Sequence, residues 1–183
     1  MTERREIKPC PNGADLFMER SAIISPCGLY RTRLDRTIAE RGLVAAILGV
    51  NPSTADAEVD DATIRKDMGF GRRLGWRQII KGNKFAYCAT DVRELRKAAD
   101  PIGPGNDAAL EAMMREADVV IAAWGPLAKL PPHLRARWRD VVAIAERRGK
   151  PLHCFGTAKD GQPRHTLMIA YETPLEIWKA PHD

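Results

Sequence analysis

The sequence predicts an α/β fold of three layers, α/β/α, around a central, mainly parallel four-stranded sheet. Three observations carry that expectation. Leu43–Val50, Asp118–Ala123 and Leu152–Phe155 are apolar runs of strand length, and Gln78–Lys81 is a shorter candidate. Runs without alternation suit strands covered on both faces. Helical segments separate them, so consecutive strands need crossovers and lie parallel. Ahead of the first run, Ala22–Ile24 and Leu29–Leu34 flank Ser25-Pro26-Cys27-Gly28, which predicts a hairpin on one sheet edge.

The elements follow in order. Residues 1–20 are charged, hold Pro9 and Pro11, and read as a loosely attached arm. After the hairpin and the first run, Asp60–Leu74 reads as a helix carrying Ile64, Met68 and Leu74, interrupted near Gly69 and Gly71. Gln78–Lys81 then leads to Asn83. Asp91–Gly105, with two prolines, reads as a loop, and Asn106 as the N-cap of a helix through Glu116. Asp118–Ala123 ends at Trp124-Gly125-Pro126. His133–Arg148 is an amphipathic helix with Leu134, Trp138, Val141 and Ala145 on one side, closed by Gly149. Leu152–Phe155 runs into a loop ending at Arg164-His165, and Thr173–Trp178 packs against the rest. No repeat or linker divides the chain, so residues 1–183 form one domain.

Composition narrows the function. Hydrophobic residues make up 44% of the chain and charged residues 29%, which supports a packed core and excludes wholesale disorder. No apolar run reaches the ~20 residues of a membrane span. The charged N-terminus does not read as a signal peptide, so a soluble, cytoplasmic protein is expected. The net charge of +5 permits a polyanionic partner without demanding one. Cys10, Cys27, Cys88 and Cys154 are too far apart for C-x-x-C chemistry, and the four histidines form no H-x-x-x-H pair. The expectation is therefore no metal and no cofactor.

In an open parallel sheet, sites form beyond the carboxyl ends of the strands. Those ends carry Asn51-Pro52-Ser53-Thr54, Asn83, Trp124-Gly125 and Arg164-His165. By residue type alone, each has a plainer reading: a turn and helix cap, a turn residue, a surface imidazole. No Gly-Lys-Ser/Thr phosphate loop, dinucleotide fingerprint or G-x-S-x-G elbow occurs.

The order of these pieces resembles the uracil-DNA glycosylase superfamily. Gly49-Val50-Asn51-Pro52-Ser53 looks like its first motif, and Asn83 matches the base-reading asparagine. Ala122-Ala123-Trp124-Gly125 is similar to its third-strand ending, and His165 sits where its second motif places a histidine. The chain also resembles an uncharacterised bacterial family with Asn-Pro-Ser-Thr-Ala-Asp (Asn51–Asp56), Asp-Asp-x-Thr-Ile (Asp60–Ile64) and Phe-Ala-x-x-Ala-Thr-Asp (Phe85–Asp91). Further shared hallmarks are Gly-Pro-x-Asn-Asp (Gly103–Asp107), Ala-Trp-Gly (Ala123–Gly125) and Pro-Arg-His (Pro163–His165).

The glycosylase resemblance implies a glycosylase-like fold and a monomeric enzyme that excises uracil, or a related modified pyrimidine, from DNA for base excision repair. Asn51 and His165 are then catalytic, with Asp56 a further candidate for activating water. Asn83, Ser53, Pro52 and Phe70 bind the flipped base, Phe70 by stacking. Arg164, Lys159, Arg72 and Arg73, with Arg65 and Lys66, contact DNA. Two departures stand out. The close cysteine pair of the iron–sulfur branches is missing, so no cluster is expected. His165-Thr166-Leu167-Met168 replaces His-Pro-Ser. The rival readings are a nucleoside or nucleotide hydrolase acting on free substrate, and a non-catalytic binder of modified or abasic DNA.

Overall fold

The computed structural model describes residues 19–53 and 55–181. Its centre is a mixed seven-stranded sheet in the order β1-β2-β4-β3-β5-β6-β7. The strands are β1 (Arg20–Ile24), β2 (Arg31–Thr37), β3 (Leu43–Gly49), β4 (Trp76–Asn83), β5 (Val119–Ala122), β6 (Leu152–Cys154) and β7 (Glu176–Ile177). Neighbours β4, β3, β5 and β6 run parallel. The β1–β2 hairpin joins β4 antiparallel, and β7 joins β6 antiparallel at the other edge. The α/β class stands as expected, but the sheet is larger and mixed. The C-terminal segment adds a strand that its short, exposed Glu176–Ile177 pair does not advertise. Most of the arm, residues 1–18, lies outside the described residues.

Alternation along the buried strands sends side chains to two cores. Ala45, Ile47, Ile79 and Ile121 face one way and pack against Ile64 and Met68 of α1 (Ala62–Leu74). Ala46, Leu48, Ile80 and Val120 face the other way, against α2 (Asn106–Glu116) and α3 (Trp138–Arg147). The chain thus forms three layers. From β3, one crossover leads outward to β4 and the next returns past β3 to β5. Right-handed crossovers of opposite direction place their helices on opposite faces. The resulting switch point lies between the carboxyl ends of β3 and β5.

Several local expectations change. α1 runs unbroken through Gly69 and Gly71. Those glycines admit close neighbours: a Cβ at 69 would strike Tyr171, and one at 71 would strike Ile38. Its cap is Asp61, whose Oδ1 accepts from the Ile64 N–H at 2.8 Å. Asn106 is the first residue of α2 rather than its cap, which is Gly105. Asn106 turns inward, and its Nδ2 donates to the carbonyls of Asn83 (3.1 Å) and Lys84 (3.2 Å). The helix expected from His133 begins as a 3₁₀ segment, Pro132–Arg137, because two prolines open it, and becomes α-helical at Trp138. No helix among the described residues is long and apolar enough to cross a membrane.

Candidate functional site

A cleft of about 630 Å³ opens at the switch point, where open α/β sheets bind ligands. Asn51, Ser53, Asn83 and His165 all border it, together with Lys81 and Trp124. Four separate chain segments thus deliver the expected polar groups to one place.

Asn83 closes β4 opposite Gly49 in the parallel register and is 3% exposed. Position 49 must lack a side chain, since a Cβ there would lie 2.7 Å from Asn83 Oδ1. Beyond the strand, Lys84 N–H donates to Gly49 O (3.0 Å) and Phe85 N–H to Val50 O (2.9 Å), so the exits of β3 and β4 are tied together. Asn51 sits on the β3 exit. Its Nδ2 donates to Pro52 O (2.9 Å) and Ala89 O (2.7 Å), which uses both amide hydrogens and leaves Oδ1 as an acceptor.

His165 is held by the loop after β6. Gly125 N–H donates to Pro163 O at 2.9 Å, and Thr157 bridges Pro163, which pins the Pro163–His165 stretch against the end of β5. Trp124 Nε1 donates to the buried Gln162 Oε1 at 2.8 Å and braces the same loop. His165 Nδ1 accepts from the Leu167 N–H at 3.2 Å. That bond makes the neutral ring an Nε2–H donor. Burial first, and the Lys81 charge second, push its pKa down to about 4, so the ring is neutral at physiological pH.

Lys81, which borders the cleft, and its partner Asp67 behind it were missed by sequence reasoning. Lys81 Nζ lies 2.7 Å from Asp67 Oδ2, and both side chains are buried. Asp67 falls three residues after Ile64, on the apolar stripe of α1. A carboxylate on such a stripe signals a buried cationic partner. Arg31, from β2, also borders the cleft while 3% exposed.

Other expected residues are not in the cleft. Phe70 is fully buried and stacks on Phe155 with ring centroids 4.2 Å apart, so it packs the core and is not a platform for a base. The aromatic that borders the cleft is Trp124. Asp56 is outside the lining. Its Oδ1 accepts from the Glu58 and Val59 N–H groups, both at 2.8 Å, and closes a turn. Those bonds hold its pKa below the usual carboxylate range but commit the oxygen to backbone. Pro52 is buried and contributes its carbonyl, not a ligand surface. Asp60 pairs with Arg36 at 2.7 Å. Arg72 and Arg73 lie in the last turn of α1. At 1.5 Å per residue that is about 15 Å from the helix end that meets the cleft, and Arg73 pairs with Glu172. Arg164 and Lys159 are exposed on the loop that ends at His165 but do not line the cleft. Thr54 lies outside the described residues. Among those residues, no group of three His, Cys, Asp or Glu could hold a metal ion.

The family described as a protein of unknown function (DUF1643) matches residues 31–167, well over half of the chain, and the chain belongs to that family. The matched stretch includes every residue of the cleft named above. No curated protein and no solved structure matches it.

Proposed function

We propose that this chain is a DNA glycosylase that hydrolyses the N-glycosidic bond of uracil, or of a related modified pyrimidine, in DNA. The observation that carries the reading is the meeting of Asn51, Asn83 and a neutral His165 in one cleft. In hydrolysis the bond between the base nitrogen and C1′ breaks, its electron pair leaves with the base, water adds to C1′, and the proton that water sheds ends on the released base. Asn51 Oδ1, with both amide hydrogens occupied, accepts a hydrogen bond from that water and orients it. His165 Nε2–H donates to the base oxygen that gains negative charge. A preorganised donor of this kind lowers the barrier by roughly 3 kcal/mol. A fixed Asn83 amide donates to uracil O4 and accepts from its N3–H, whereas cytosine presents donor and acceptor at those two positions in the reverse order.

The test is single-turnover excision on single- and double-stranded oligonucleotides carrying uracil, with abasic sites cleaved by alkali. The expected result is strand cleavage that Asn51→Ala slows strongly while binding of abasic product persists. Asn83→Asp should change the uracil-to-cytosine ratio. Tight binding of abasic DNA without any product would leave a binding module, and turnover of free nucleosides alone would leave a monomer hydrolase.

A further inference from the structure

We propose that the cleft contains a phosphate-binding subsite formed by Arg31 and the first turn of α1, so that the ligand it takes is a phosphate ester. The nucleotidyl nature of that ester rests on the glycosidic reading; the subsite itself rests on two separate observations. Ala62 and Thr63, the first two residues of the 13-residue α1, border the cleft. Asp61 caps the Ile64 N–H and no other, and Arg65 N–H begins the helical ladder on Asp61 O. The Ala62 and Thr63 N–H groups therefore have no protein acceptor among the described residues, at the end of the helix where the dipole is positive. Arg31 borders the same cleft and is 3% exposed. Its Nη1 donates to Ala55 O, but its Nε has no partner. A buried guanidinium N–H with nothing to donate to carries an unmet hydrogen bond, which an anionic oxygen brought against Arg31 would satisfy.

The charges agree with a single anionic group. Of the cations on the lining, Lys81 is matched by Asp67 and Arg93 by Asp91. Arg31 and Lys129 then stand against Asp61 alone. Asp61 lies close enough to Arg31 to act on its charge, so one net positive charge faces the ligand. A phosphodiester from a nucleic-acid strand and the terminal ester of a free nucleotide share this chemistry.

The test uses the isotopically labelled full chain in solution. Inorganic phosphate should move the Ala62 and Thr63 amide signals and the Arg31 Nε–H signal saturably, while chloride at equal ionic strength should not. Arg31→Met should weaken phosphate binding by about tenfold, with the remaining signals unchanged as proof of fold. If that variant does not fold, the wild-type titration decides. Deoxyuridine monophosphate and a uracil-bearing oligonucleotide are then compared through the same three signals. Tighter binding of the first assigns a free ester, and of the second a strand. Signals that stay still with all three phosphate probes overturn the subsite, as does a folded Arg31→Met variant that binds phosphate like the wild type. The excision assay is independent: signals that move without excision sink only the glycosidic reading, and excision without movement sinks only the subsite.

Discussion

Lys81 and Lys84 lie three residues apart and are both buried, yet the two sides of the sheet treat them in opposite ways. Lys81, inside β4, points to the α1 side and meets Asp67 at 2.7 Å. Lys84, just past the strand, is fully buried with no hydrogen-bond partner on Nζ, and lies over the rings of Trp124 (5.3 Å) and Phe85 (6.0 Å). Burial, with Arg137 adding repulsion, pushes the Lys84 pKa down to about 7. Lys81 has a carboxylate from α1 within hydrogen-bond distance. Lys84 has no hydrogen-bond partner on Nζ, and its burial against aromatic faces, with the Arg137 charge, favours the neutral amine. The paired charge borders the cleft and the unpaired one does not. The paired lysine thus stands beside a carboxylate at the cleft, whereas the unpaired one makes stability depend on pH.

The most forceful way to break this contrast is to give Lys81 the environment of Lys84. Asp67→Asn keeps the size and removes the charge, which leaves a buried ammonium without its partner. Such losses cost roughly 3–5 kcal/mol, and urea unfolding at neutral pH should show it. The double variant Lys81→Met with Asp67→Leu should recover most of that loss, because no charge is then buried. If the double variant is as unstable as the single one, the shape of the pair matters and its charge does not.

Removing the unpaired lysine should act the other way. Lys84→Met fills the same space and sheds the cost of burying an ammonium. The folded pKa is about 7 against an ordinary 10.5. Above 10.5 the group is neutral in both states and costs nothing. As pH falls from 10.5 to 7 the unfolded chain takes the proton first, so stability falls, and below 7 the full cost is present. Lys84→Met should thus stabilise the protein by roughly 4 kcal/mol at neutral pH. It should also flatten the stability curve between pH 7 and 10.5. An unchanged slope across that window would mean that Lys84 keeps its proton while buried.

Much of the site was legible because strand ends converge in a parallel sheet. Asn51, Asn83 and His165 each follow an apolar run, and topology alone brings such positions together. Asp56 misled because a carboxylate near a motif looks reactive, while its nearest donors are the backbone N–H groups two and three residues on. Phe70 misled because residue type does not say which neighbours cover it; Phe155 and Tyr171 come from segments far along the chain. Arg72 and Arg73 were separable by helix rise alone. The Lys81–Asp67 pair left a trace in the sequence, a carboxylate on the buried stripe of α1. Lys84 left none, since a lysine after a strand ordinarily reaches solvent.

The smallest expected effect concerns the field that Lys81 exerts on the cleft. His165 has a pKa of about 4, lowered first by burial and next by Lys81, with Asp67 acting in the opposite direction. The depressed value means that His165 costs no stability above 6.5; the cost grows as pH falls from 6.5 to 4 and is complete below 4. Excision under the proposed mechanism needs the neutral ring, so the rate should hold from mildly alkaline pH to about 5 and fall below that, not at 6.5. Lys81→Met removes the repulsion and leaves Asp67 facing the ring, and both changes favour the imidazolium. The His165 midpoint should then rise by about one unit, worth about 1.4 kcal/mol, and the acid limb of the rate should rise with it. Nitrogen chemical shifts of the ring, followed against pH in both proteins, measure the midpoint directly and need no activity. The Lys81→Met, Asp67→Leu protein is the control: with both charges gone, the midpoint should still rise, but by less, because the lowering by Lys81 outweighs the raising by Asp67. A wild-type midpoint near 6.5 would show that burial does not govern the ring. A midpoint near 4 that Lys81→Met fails to move would mean that burial alone keeps His165 neutral, and that the paired lysine leaves the cleft's proton chemistry untouched.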